Sequence, residues 1–198
     1  TRKGRSKMSK LSRIVLDTET TGFDPENDEI LTISIVDGEG SVLWDRTYRP
    51  SRKTEWPEAA KVNGIRPEDV ASCPPIEQDA EAIRRIVRSA DEVVIYNAAF
   101  DRRFLASIGC DVVDGQKVTD TMLEFAKAYR EPDDRHPGEF RWKKLGFAAE
   151  HIGYDWGDSR AHTSVADCLA TLAVQNWIDR NERRQARSTA SWSSRPTA

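Results

Sequence analysis

Two carboxylates one residue apart, Asp17 and Glu19, close the apolar run Ile14-Val15-Leu16 and are followed by Thr20-Thr21-Gly22. Side chains alternate along a strand, so Asp17 and Glu19 project from the same face. Like charges held on one face repel, and a hard divalent cation, which takes oxygen ligands, would relieve them. An ordinary solvated strand end is the other reading of the pair alone. Asp101 follows the apolar stretch Val93-Val94-Ile95-Tyr96 by a few residues, at the start of a helix. It reads either as a helix N-terminal acid favoured by the helix dipole or as a third carboxylate. The second holds if strand 93–96 lies parallel beside strand 13–17, because sites in open α/β sheets form beyond strand ends.

The last constellation is Ala161-His162-Thr163-Ser164-Val165-Ala166-Asp167. Asp167 falls in the first turn of a long helical pattern, beside its apolar stripe. His162 and Asp167 are five residues apart, which on a regular helix is about 140° around the axis, so they would not share a face. His162 is therefore expected on the loop before the helix, with Thr163 as the cap. A histidine beside a carboxylate cluster titrates near neutrality and suits a general base; an exposed surface residue is the plainer alternative.

The elements that must carry these residues are read from periodicity. Strands are expected at Leu11–Leu16, Ile30–Val36 and Val42–Tyr48, the second and third joined by the turn Asp37-Gly38-Glu39-Gly40. Short helices are expected at 57–62, opened by a proline at its first position and stopped by Asn63-Gly64, and at 67–70. A longer helix is expected over Ile76–Ser89, a central strand at 93–96, a helix to about Ile108, and short strands at 112–113 and 117–118. Three more helices follow: Thr121–Tyr129, capped by Thr119 or Asp120, then Trp142–His151, then Thr163–Arg180; Trp142-Lys143-Lys144 reads as a core tryptophan with two solvated lysines, or as a DNA-facing patch. Trp156 lies in the loop before His162 with no assigned role. The order βββ, then α, then alternating β and α units implies a mixed five-stranded sheet with helices on both faces.

The 198-residue chain is long enough for one domain with a sizeable core. It divides into a basic arm or expression remnant over 1–10, a folded body over 11–182, and an Arg/Ser-rich tail over 183–198 expected to be disordered. Residues 1–10 hold five Lys/Arg and no acid, and residues 180–198 hold five Arg against one Glu, so the body is far more acidic than the overall net charge of −3. Charge alone does not mark a nucleic-acid binder; metal ions and local basic groups would have to screen phosphates. The three cysteines, Cys73, Cys110 and Cys168, make neither a C-x-x-C pair nor an even disulfide set, which suits a reducing, cytoplasmic compartment. No run of about 18 apolar residues is present, so no membrane span is expected.

Taken in order, Asp17-Thr18-Glu19-Thr20-Thr21-Gly22, Tyr96-Asn97-Ala98-Ala99-Phe100-Asp101 and His162-(four residues)-Asp167 resemble the three motifs of the DEDDh-type, DnaQ-like 3′–5′ exonucleases of the RNase H-like superfamily. The resemblance covers about residues 11–182. It implies an RNase H-like fold and hydrolysis of phosphodiester bonds from a 3′ end to nucleoside 5′-monophosphates. It also implies two Mg²⁺ or Mn²⁺ ions held by Asp17, Glu19, Asp101 and Asp167, with His162 taking the proton from the attacking water. Thr18, Thr20, Asn63, Gly64, Asn97 and Phe100 would meet or support the terminal nucleotide. Many relatives have His where this chain has Asn63 and Tyr96, a departure that bears on substrate preference. Single-stranded DNA is the favoured substrate, in a polymerase III epsilon-like proofreading or repair role with a DNA polymerase as partner. RNA 3′ trimming, or a binding or polymerase-partner module that kept the fold without the activity, are the alternatives.

Overall fold

The computed structural model describes residues 10–157 and 163–193, with side chains through residue 187. Strand β1 (Leu11–Thr20) is the centre of a five-stranded sheet of order β3-β2-β1-β4-β5, with β2 at Ile30–Asp37, β3 at Val42–Thr47, β4 at Ala90–Ile95 and β5 at Lys117–Asp120. The pairs β1–β2 and β2–β3 are antiparallel, whereas β1–β4 and β4–β5 are parallel. The mixed five-stranded sheet expected from the element order is thus the observed one, and it agrees with the RNase H-like fold that the motif resemblance implies.

The helices are α1 (Pro57–Asn63), α2 (Pro67–Val70), α3 (Ala80–Ser89), α4 (Ala98–Ser107), α5 (Thr121–Tyr129), α6 (Leu145–His151) and α7 (Ser164–Ser193). Strand alternation sorts the core onto two faces. Ile14, Leu16, Ile33, Ile35, Val93 and Ile95 pack with Ile83, Val87, Phe104 and Leu105 of α3 and α4. Val15, Val36 and Val94 pack on the opposite face against Cys168 and Leu172 of α7. The odd-numbered residues of β1, and with them Asp17 and Glu19, therefore turn towards α7.

Several elements depart from the sequence expectation. Strand β1 does not stop at Leu16 but continues through both acids to Thr20. Its antiparallel neighbour supplies partners that far, with Asp17 opposite Ser34 and Glu19 opposite Thr32, before the register shifts at Glu19/Thr20. The segment expected as one helix from Ile76 splits into a 3-10 turn, Ile76–Gln78, and α3, with Asp79 (φ −109°, ψ −7°) at the break. Residues 112–113 are irregular rather than a strand. Helix α6 starts only at Leu145, because Lys144 is extended (φ −69°, ψ 154°). Trp142 consequently lies outside the helix and is 54% exposed, not a core residue. At the other end α7 runs to Ser193, so the tail expected to be disordered from 183 is helical to that point. Glu182, Arg183, Arg184, Gln185, Ala186 and Arg187 are good helix formers, and extending a helix that already exists avoids the cost of nucleation. The basic arm 1–9 and residues 194–198 lie outside the described residues. All three cysteines are free, and among the described residues no helix is long and apolar enough to cross a membrane.

Candidate active site

Parallel pairing between β1 and β4 ends at Val15 opposite Val94, whereas β1 goes on for five more residues. Beyond that point the β4 side of β1 is open. Asn97, in the left-handed region (φ 66°), turns the chain out of β4 and into α4. The Asp120 carboxylate braces this turn by accepting from the amides of Asn97 (3.3 Å) and Ala98 (2.9 Å), and it also caps α5 through the amides of Met122 and Leu123. The first turn of α4 then brings buried Asp101 against the open edge. Asp101 Oδ1 accepts from the Thr18 amide (3.0 Å) and the Thr18 hydroxyl (2.7 Å), so it satisfies a strand amide that β4 no longer reaches.

On the α7 face, ligand oxygens of Asp17, Glu19 and Asp167 lie within 4.8 Å of one another. The start of α7 is tied to β1 by the Ser164 hydroxyl, which donates to the Asp17 carbonyl (3.0 Å). Asp17 Oδ2 is buried and has no hydrogen-bond partner. Burial pushes the Asp17 carboxyl well above its ordinary range, and the charges of Asp101, Glu19 and Asp167 push it further. Burial, then Asp167 and Asp101, raise Glu19 to about 8, against a hydrogen bond from Asn63. Asp101 is raised to about 7, chiefly by burial, opposed by its bonds from Thr18. Carboxylates this crowded repel one another as a bare anionic set, and a cation would satisfy the buried Asp17 oxygen that no donor reaches. The donor set is all oxygen and anionic, which fits a hard divalent metal ion.

Of the expected residues, the structure brings Asp17, Glu19 and Asp167 into one cluster and sets Asp101 beside it, outside the 4.8 Å group. His162 lies outside the described residues. Thr18 and Thr20 are each only 6% exposed and spend their hydroxyls internally, Thr18 on Asp101 and Thr20 on the Gly22 carbonyl (2.6 Å). Asn63 ends α1, donates to the Thr20 carbonyl (3.1 Å) and accepts from the Ile65 amide (3.0 Å), a conformation that Gly64 (φ 74°) allows. Asn63 and Glu19 line one depression together with Thr163. Gly22 is required for packing. A Cβ there would meet the Asp28 carboxylate at 2.3 Å, and Asp28 is held by Thr21 and Lys53. Phe100 sits between Phe104 (5.1 Å) and Phe23 (6.1 Å).

Two residues escaped the sequence reading. Ser164 lies inside the third motif but has no distinctive spacing. Phe23, 77% exposed beside Phe100, is the lone apolar residue in an otherwise polar loop, a signal that was present. For Trp142 the core reading, drawn from a helical spacing to Leu145 and Ala149, gives way to the exposed one, because the backbone does not follow that spacing.

The exonuclease family model of the RNase T type matches residues 14–175. The DNA polymerase III subunit epsilon of Rickettsia conorii is 34% identical over 103 residues, covering 50% of this chain and 44% of that protein. A DNA polymerase III subunit epsilon-like protein of Rhodobacter capsulatus is 31% identical over 176 residues, covering 83% of this chain and 23% of that protein. The chain thus spans less than half the length of these relatives. Among solved structures, E. coli exonuclease I in complex with a dA16 oligonucleotide superimposes with a TM-score of 0.68 at 19% identity, over 88% of this chain and 42% of that one. Exonuclease X in complex with 5′-overhanging duplex DNA gives a TM-score of 0.64 at 21% identity, over 85% of this chain and 92% of that one. At these identities the structural likeness speaks for the fold; the family match, over most of the chain and all but the first few residues of β1, speaks for descent. This chain belongs to the DnaQ-like 3′–5′ exonuclease family.

Proposed function

We propose that the protein is a divalent-metal-dependent 3′–5′ exonuclease that hydrolyses the terminal phosphodiester bond of single-stranded DNA and releases nucleoside 5′-monophosphates. The observation that carries this reading is the buried, unpartnered Oδ2 of Asp17 inside a cluster of carboxylates drawn from β1 and α7. Asp17, Glu19 and Asp167 would hold one Mg²⁺ or Mn²⁺ ion, and Asp17 with Asp101, directly or through water, a second. Bound there, such ions supply Lewis-acid activation of water and neutralise charge on the phosphoryl and leaving oxygens.

The protein's own groups do the positioning. Thr18 holds the Asp101 carboxylate at the open edge of β1. Ser164 fixes the first turn of α7, and so Asp167, against the Asp17 backbone. An imidazole nitrogen of His162, which stands five residues before Asp167 in the third motif, accepts the proton of the attacking water. The side of Glu19 formed by the Thr20-Thr21-Gly22 turn and Asn63 seats the terminal nucleotide, with Phe23 and Phe100 offering ring faces beside it. The epsilon-subunit names of the relatives support DNA over RNA as the substrate, and a proofreading or repair setting alongside a polymerase.

The test is release of mononucleotides from a 3′-labelled oligonucleotide with Mg²⁺, with and without EDTA, across single-stranded DNA, duplex DNA and RNA. Chelator-sensitive release from single-stranded DNA, abolished by Asp167→Ala with the fold retained, is the expected result. Full activity in Asp167→Ala would overturn the mechanism, and a preference for RNA would overturn the substrate.

A further inference from the structure

A second groove opens on the Asp167 side of the carboxylate cluster, away from Glu19 and Asn63. It encloses about 700 Å³ and is lined by Trp142, Lys144, Phe147, Glu150, Trp156 and Asp167, with Lys143 in its wall. Its aromatic content is unusual for an acidic body. Trp142 is 54% exposed and Phe147 39% exposed, while half-buried Trp156 is held edge-on by Tyr154 (5.3 Å, 84°).

These rings stand on a fixed backbone. The Arg141 amide donates to the Glu131 carbonyl (2.8 Å), and the Tyr96 hydroxyl donates to the Lys143 carbonyl (2.8 Å). Lys143 itself is committed to Glu131 (2.6 Å) and lies over the Phe147 ring (5.0 Å). Lys144 is exposed and has no ion pair among the described residues. A rigid extended segment that presents a large ring to water next to a lysine with no ion pair is arranged for a ligand with a flat apolar face and an anionic backbone. Nucleobases have such faces, and stacking on them tolerates any sequence, which suits an enzyme that removes one nucleotide after another.

We propose that Trp142, Trp156 and Phe147 form a stacking subsite for the base of the nucleotide on the 5′ side of the scissile bond, with Lys144 directed to its phosphate. This rests on the exonuclease reading above, in which the Glu19–Asn63 side holds the terminal nucleotide and the Asp167 side is left for the strand leading to it. Asp167 belongs both to the carboxylate cluster and to the groove wall, so a base in the groove stays attached to a phosphate at the cluster.

The experiment compares two substrates with the full chain: a (dT)-oligonucleotide, and the p-nitrophenyl ester of thymidine 5′-monophosphate, which has no nucleotide on the 5′ side. In Trp142→Ala and Trp156→Ala the KM for the oligonucleotide, relative to that for the ester, is expected to rise by about 5- to 150-fold, the range for losing one stacked base. Trp142→Phe is expected to recover most of it. An abasic residue next to the terminal nucleotide should weaken the wild type by a similar factor and Trp142→Ala by little more. Equal losses on ester and oligonucleotide, or an unchanged KM ratio, would overturn the subsite. If the wild type cleaves neither substrate, the exonuclease reading fails, and quenching of tryptophan fluorescence by the oligonucleotide in Ca²⁺ then reads the groove alone. Quenching lost in Trp142→Ala supports it, and quenching retained overturns it.

Discussion

Asp17 is the residue on which the site turns, because it combines a buried, partnerless oxygen with three acidic neighbours. The sign of the resulting pH dependence follows from linkage. Carboxyls whose folded pKa is raised bind protons more tightly in the folded state. The metal-free protein therefore loses stability as pH rises from about 4, where these groups titrate when unfolded, through the values of about 7 for Asp101 and about 8 for Glu19. A divalent ion replaces the protons, and its stabilising effect grows over the same window. Two outcomes are expected from thermal melts. The rise in Tm on adding Mg²⁺ is larger at pH 8 than at pH 6. Asp17→Asn raises the Tm of the metal-free protein at pH 8, by about 2–4 °C for each kcal/mol of repulsion relieved, and abolishes the response to Mg²⁺. A metal-free Tm that climbs between pH 5 and 8 would contradict this account of the cluster.

At the level of elements, the geometry of the cluster depends on the hydrogen bonds that join β1 to α7 and α4 there. The Ser164 hydroxyl is a single bond from α7 to the Asp17 carbonyl, made across 147 residues of chain. Ser164→Ala should cost about 0.5–1.5 kcal/mol in a denaturant melt, the net worth of one hydrogen bond. Because the same bond sets where Asp167 stands, kcat should fall several-fold more than this loss of folded protein accounts for, with the Mg²⁺ concentration for half-maximal activity raised. A variant with the stability loss but wild-type kcat and metal dependence would show that Ser164 only holds the helix down. The open edge of β1 has the same logic. β4 ends at Ile95, the Thr18 amide would otherwise be orphaned, and Asp101 fills that place while contributing charge to the cluster.

For the molecule as a whole, the opposite end of the sheet carries a stabilising counterpart to the destabilising acid cluster. Glu92 on β4 accepts from Arg13 on β1 (2.7 Å), Lys117 on β5 (2.7 Å) and the Thr119 hydroxyl (2.6 Å), and Arg13 continues to Asp179 on α7 (2.8 Å). Although burial opposes it, the bonds from Lys117, Thr119 and Arg13 lower Glu92 to about 2. A depressed carboxyl stabilises above its unfolded pKa and loses that contribution as pH falls through the folded value. The network should therefore be fully present above about pH 4.5 and worth on the order of 2–3 kcal/mol, disappearing towards pH 2. Glu92→Gln is expected to lower stability at pH 7 and to flatten the acid limb of a stability–pH profile. An unchanged acid limb would show that the network contributes no pH-dependent stability.

The sequence by itself determined the parts of the protein that depend on near neighbours. Alternation put Asp17 and Glu19 on one face, and the apolar run 93–95 marked a strand buried on both sides. Asp120 was recognisable as a cap, and the order of elements implied the mixed sheet. Three ordered motifs then carried the family. Only the tertiary structure decided what depends on register and on contacts between distant segments. It set how far β1 outruns β4, and therefore where the open edge lies. It also determined that Asp101 is fastened by Thr18 and stands outside the closest carboxylate group, and that the Ser164 hydroxyl ties the start of α7 to the Asp17 carbonyl. The same holds for the ends of helices. Spacing suggested that Trp142 began α6 and that the chain frayed after 182, but anchoring at Glu131 and Tyr96 keeps Trp142 extended and exposed, and a helix already nucleated against the sheet carries α7 onward to Ser193. Periodicity encodes which way a side chain faces within its own element. Which other element it meets is fixed by contacts between segments 83 and 147 residues apart, and no local pattern records that.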